Sequence, residues 1–121
     1  MKVLLKAKQP YTVNVAANEA ALVSLRSLLY LELNVQKIRA EYQRLFASLS
    51  QMAFLKPYPS EANFVLVKVE KGDAALLWDH LASQGIFVRR YNTSRLENMI
   101  RISVGKPDDR EKLLYALENW I

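Results

Sequence analysis

Four of the eight arginines in this 121-residue chain fall between residues 89 and 101: Arg89, Arg90, Arg95 and Arg101. A guanidinium is permanently charged, and its planar fork of donors matches the oxygens of a carboxylate or phosphate, so the chemistry on offer is anion recognition rather than proton transfer. Strand alternation sharpens this. If Ile86–Arg89 and Met99–Val104 are strands, Ile86 and Val88 share one face while Phe87 and Arg89 share the other. On the second strand Ile100, Ile102 and Val104 share a face, opposite to Arg101 and Ser103. Matching the apolar faces in an antiparallel hairpin sets Val88 against Ile102 and Ile86 against Val104, and so places Arg89 opposite Arg101. Like charges directly opposed on a sheet repel, and an anion held between them would convert that repulsion into binding. The alternative is that both arginines are solvated or paired with Glu61, Glu70 or Glu97.

Other chemistries are poorly served. The chain has no cysteine and a single histidine, which removes thiolate nucleophiles and disulfides and argues against a metal centre. His80 sits mid-helix beside Asp79 and reads as a surface or core-edge residue. The three glycines are isolated, so none forms a phosphate-cradling loop. The net charge of +5 is moderate, and no stacking motif or reading helix accompanies it, so nucleic acid is not an expected partner. The apolar run near Met1 is three residues long, too short for a secretory signal. Between Ala16 and Leu33 polar residues, among them Glu19, Arg26 and Glu32, interrupt any membrane span. A cytoplasmic protein is expected, or a plastid one if a transit peptide has been lost.

The elements that must position the arginines are those of an α+β domain. Residues up to Thr12 read as extended or loop. Asn14 is a plausible N-cap for a helix from Val15 to about Leu31, apolar almost all the way round and therefore expected to be buried on most sides. Asn34 reads as a second N-cap, opening an amphipathic helix with Val35, Ile38, Tyr42, Leu45, Leu49 and Met52 on one stripe. Lys56–Ser60, with two prolines, reads as a connector. Asn63–Val69 is a central strand, with Asn63 expected to bond the local backbone. Asp73 caps a helix over Ala74–Gln84, with Leu76, Leu77, Trp78 and Leu81 inward and Gly85 as its left-handed stop. After Ile86–Arg89 come a polar loop from Tyr91 to Asn98 and the strand Met99–Val104. A last helix runs from about Pro107 to Trp120, with Leu113, Leu114, Leu117 and Trp120 inward. The order is α-α-β-α-β-β-α: a small, mostly antiparallel sheet with helices on one face.

Four segments, in this order and spacing, carry a family resemblance: Lys6–Ala17, Pro57–Leu66 (PYPSEANFVL), Gly85–Asn92 (GIFVRRYN) and Ile100–Gly105 (IRISVG). Together they resemble histidinol-phosphate aminotransferase, a fold-type I pyridoxal-phosphate enzyme of the class II aminotransferases, and most of all its plant and cyanobacterial forms. The resemblance covers essentially the whole chain but only the last third of that enzyme. It implies the fold of the C-terminal small domain. Residues 34–121 would form that domain, and residues 1–33 a loop and apolar helix packing on a large domain. It implies that Arg101, in the Arg-Ile-Ser-Val-Gly motif, and Arg89, in Gly-Ile-Phe-Val-Arg, hold the phosphate or acidic end of the substrate. Arg90 stands where relatives vary. Tyr11 and Asn14 match a segment near the subunit interface and the edge of the active site. Thr12 replaces the usual asparagine there, and as plain residues Tyr11 reads as packing and Asn14 as a helix cap.

The resemblance further implies amino transfer between histidinol phosphate and 2-oxoglutarate in histidine biosynthesis, by a homodimer that carries pyridoxal phosphate. The Schiff-base lysine, the aspartate for the pyridinium nitrogen and the phosphate cup belong to the part this chain lacks. No catalytic residue and no cofactor are therefore expected here, and the chain alone is expected to be inactive. The competing reading is a stand-alone, non-catalytic α+β module that binds a phosphorylated metabolite or a protein partner.

Overall fold

The structure is a computed structural model that describes residues 13–120. The chain divides into two compact units, with the boundary after Val35. The first contains helix α1, Val15–Arg26. Asn14 caps it as expected: its Oδ1 accepts from the Ala17 amide at 2.8 Å. No residue of α1 is buried. The helix stops at Ser27, earlier than the apolar run suggests, and α2 follows at once as Leu28–Gln51. Asn34 is therefore not a cap. Residues 28–33 are mostly leucine and glutamate, good helix formers that carry the helix through. The Asn34 side chain instead donates back to the Tyr30 carbonyl at 2.9 Å.

The second unit holds the rest of α2 and a sheet of β1 (Leu55–Tyr58), β2 (Phe64–Val69), β3 (Arg89–Arg90) and β4 (Met99–Ser103). Helices α3 (Ala74–Ser83) and α4 (Pro107–Glu118) complete it. The strand order is β1-β2-β4-β3, and all pairings are antiparallel. The α+β class with helices on one face stands. Val65, Val67 and Val69 of β2 alternate inward with Ile100 and Ile102 of β4. Against them pack Leu45 and Leu49 of α2, Leu77 and Leu81 of α3, and Leu113 and Leu117 of α4.

Three expectations change. Lys56–Ser60 is not a connector throughout, because Leu55–Tyr58 pairs with β2, setting Pro57 opposite Val67. A proline cannot donate to a ladder but is tolerated on an edge strand, which β1 is. Leu76 points outward, at 63% exposure. The predicted strand Ile86–Arg89 is reduced to Arg89–Arg90. Its missing part has other uses for its backbone: the Ile86 amide donates to the Leu81 carbonyl (2.9 Å), and the Val88 carbonyl accepts from the Trp78 indole (2.9 Å). Both bonds tie the segment to α3 instead of to β4.

Polar links lock the layers. His80 Nε2 donates to the Ala116 carbonyl at 2.9 Å, joining α3 to α4 in the core-edge role expected of it. Glu41 of α2 is buried and receives Arg110 of α4 at 3.1 Å, together with Arg44 of its own helix. Burial raises the pKa of this carboxyl, but hydrogen bonds from Arg110 and Arg44, aided by their charges, outweigh it and hold the value below its ordinary 4.5. A carboxylate whose folded pKa is depressed stabilises the fold above the unfolded value and stops doing so as pH falls through the folded one. Thermal unfolding followed from pH 7 down to pH 3 should therefore show wild type losing more stability below about pH 4.5 than Glu41→Gln, which has no proton to take up. Parallel acid limbs for the two proteins would remove Glu41 from the account.

Candidate anion site on the sheet

The face of the sheet turned away from the core helices of this unit carries the alternate residues: Phe64, Leu66 and Lys68 of β2, and Arg101 and Ser103 of β4. Arg89 is the Cα partner of Arg101 across β3 and β4, the register that face-matching predicts. Ile86 and Val88 pack against the core while Phe87 is exposed, so the faces are also as read. Arg101 is half-buried because β4 is paired on both sides, with Leu66 opposite it on β2. Arg89 is exposed on the edge.

Among the described residues neither arginine has a carboxylate within 4.0 Å; the ion pairs are Glu41 with Arg44 and Arg110, and Arg110 with Glu111. Of the alternative reading, pairing with Glu61, Glu70 or Glu97 is not seen, while solvation fits the exposed Arg89. The Nε of Arg101 is buried and has no hydrogen-bond acceptor. A buried donor without a partner is costly, and here it lies opposite a second cation. An anionic oxygen would relieve both costs at once.

Reading from sequence missed the aromatic rings. The guanidinium of Arg101 lies 5.0 Å from the centre of the Phe64 ring, and that of Arg89 lies 5.7 Å from Tyr91. Carrying the alternation on to β2 would have found Phe64, since it opposes Ser103, two residues from Arg101. Asn98 was also missed. Its backbone is left-handed at φ 60, its Oδ1 accepts from the Ala74 amide (2.7 Å), and its Nδ2 donates to the Val69 carbonyl (2.6 Å). It thereby ties the start of β4 to the start of α3. Arg90 and Arg95 do not join the pair: Arg90 is opposite Ile100, and Arg95 lies in the 3-10 turn Ser94–Leu96. Tyr11 lies outside the described residues.

Two clefts lie elsewhere in this unit. One, of about 660 Å³, is lined by Arg90, Tyr91, Asn98 and the Gly72–Ala75 turn, and one of about 370 Å³ by Glu41, Arg110 and residues 84–88. Neither is lined by Arg89 or Arg101. The described residues also do not suit a Schiff base. An amine held near neutrality for that role is desolvated, whereas five of the six described lysines are exposed and Lys68 is half-buried. No described helix is long and apolar enough to cross a membrane, and no described cluster of acids and histidine could hold a metal ion.

An opposed arginine pair on a helix-backed antiparallel sheet is the arrangement to compare with known proteins. The family model for aminotransferase class I and II matches residues 1–117, and the chain belongs to that family. Its relatives include the chloroplastic histidinol-phosphate aminotransferase of Nicotiana tabacum, 44% identical over 97% of this chain and 29% of the relative. The crystal structure of the histidinol-phosphate aminotransferase from Clostridium acetobutylicum superposes with a TM-score of 0.79 at 31% identity, covering 93% of this chain and 35% of that one. The Sinorhizobium meliloti enzyme, solved in complex with pyridoxal-5'-phosphate, gives 0.73 at 32% identity over 84% of this chain and 28% of its own. The chain thus spans about a third of the length of the relatives it matches.

Proposed function

We propose that this chain is the C-terminal part of a pyridoxal-phosphate-dependent histidinol-phosphate aminotransferase, and that its contribution is to bind the phosphate of the substrate. The observation that carries the reading is the opposed pair Arg89 and Arg101, with no described carboxylate in ion-pair distance and with a buried orphan Nε, on the sheet face turned away from the core helices of this unit. Two guanidiniums suit a dianionic phosphate ester, and a face turned away from the core suits a substrate held between this unit and another. In the complete enzyme the cofactor would carry the amino group between histidinol phosphate and 2-oxoglutarate. It would be held by the remaining two-thirds of the protein, since the residues described here do not fit it.

On this reading residues 1–33 pack on the large domain, and Tyr11 and Asn14 lie near the interface of a homodimer. The apolar residues of α1 that stand exposed in this chain, Leu22, Val23 and Leu25 among them, support that assignment. Kinship with chloroplastic and bacterial enzymes supports a plastid or cytoplasmic location. The test is a nuclear magnetic resonance titration of the chain with histidinol phosphate and, separately, with histidinol. Shifts centred on Arg89 and Arg101 are expected with the phosphate ester and not with the alcohol. Equal responses to both would sink the reading.

A further inference from the structure

Arg101 is a cation in surroundings that work against a fixed cation. A second guanidinium lies opposite, its Nε is buried without an acceptor, and no described carboxylate is within ion-pair distance. Its close attractive neighbour on this face is the ring of Phe64, 5.0 Å from the guanidinium carbon. The face of an aromatic ring is electron-rich and attracts a cation, more strongly where water is partly excluded. Phe64 reaches this position through the pairing of β2 with β4, which sets it opposite Ser103 on the same face. Tyr91 stands in the same relation to Arg89, at 5.7 Å.

We propose that Phe64 is a positioning residue, whose ring face fixes the guanidinium of Arg101 for an anionic oxygen. This rests on the reading of the pair as a phosphate site, and it adds a residue with no charge or donor of its own. The ring holds the fork in place in the absence of anion, so less freedom is lost when the anion arrives. A leucine would fill similar space and remain apolar but would offer no ring face, so positioning can be separated from packing.

The experiment titrates inorganic phosphate into the chain and its variants, followed through amide and arginine Nε–H resonances. Phe64→Leu should weaken phosphate binding by about two- to fivefold, while Phe64→Tyr and Phe64→Trp, which keep a ring face, stay close to wild type. In the wild-type protein the Arg101 Nε–H resonance should be displaced upfield by the ring. Leucine binding phosphate as well as wild type, or tyrosine binding as poorly as leucine, overturns the proposal. So does an Arg101 Nε–H at its ordinary position, a measurement that does not depend on any variant folding. Arg101→Ala separates the two levels. If it loses phosphate while Phe64→Leu does not, the Phe64 role alone falls. If it keeps phosphate, the underlying site falls and the Phe64 role with it.

Discussion

Replacing Arg101 with alanine should weaken binding of histidinol phosphate to this chain by roughly tenfold to a hundredfold, the cost of about 1.5–3 kcal/mol for losing a charge-assisted hydrogen-bonded partner. Arg89→Ala should cost less, because Arg89 is exposed on a two-residue edge strand and its interactions are screened by water. Arg101→Lys should not restore the loss, since a lysine presents a point charge and not a planar fork. Stability should move differently from affinity. Removing one of two opposed like charges, together with a buried unsatisfied donor, takes away unfavourable terms from the unliganded fold. The thermal midpoint of Arg101→Ala should thus lie within about 4 °C of wild type. Calorimetric titration and thermal unfolding of the same samples decide it. Unchanged affinity removes the site, and a collapse of the midpoint would make Arg101 a structural residue instead.

The largest loss of stability should come from Leu77→Ala. Leu77 is fully buried in the core cluster, and truncation there removes apolar contacts and leaves a cavity, worth about 2–5 kcal/mol. For a unit of this size that lowers the melting midpoint by on the order of 10–20 °C. Leu76→Ala, one residue away, should change stability by no more than about 0.5 kcal/mol, because Leu76 stands in solvent. Successive positions on a helix point about 100° apart. The inward stripe of α3 is Ala74, Leu77 and Leu81, spaced three and four residues apart. Equal losses for the two variants would mean that α3 is rotated from the orientation described.

Leu76 also marks where the sequence misleads. A leucine looks the same in sequence whether it meets the sheet or the solvent, and hydrophobic type alone placed both neighbours inside. What could be read well was whatever depends on periodicity or on a single local bond. The Asn14 and Asp73 caps and the left-handed Gly85 are of that kind. The opposition of Arg89 and Arg101 was legible because face-matching rules out one-residue slips, and centring the hairpin on its loop chooses among the two-residue ones that remain. Features set by distant partners were not legible. The sheet ladder stops short of residues 86–88 because the Trp78 indole and the Leu81 carbonyl, ten and five residues earlier, take their backbone groups. Pro57 signalled a loop because sequence does not say that its strand lies at an edge. Phe64 beneath Arg101 depends on a pairing across more than thirty residues, which alternation within one hairpin does not reach.

The strand order has a consequence for how the arginine pair comes into being. Strand β4, last in sequence, sits between β2 and β3, and β3 has no other neighbour. The pairing of β3 with β4 joins residues about a dozen apart, whereas β4 meets β2 across more than thirty. Loop closure therefore favours the local hairpin, in which Arg89 can face Arg101 before the docking of β2 brings up the Phe64 ring.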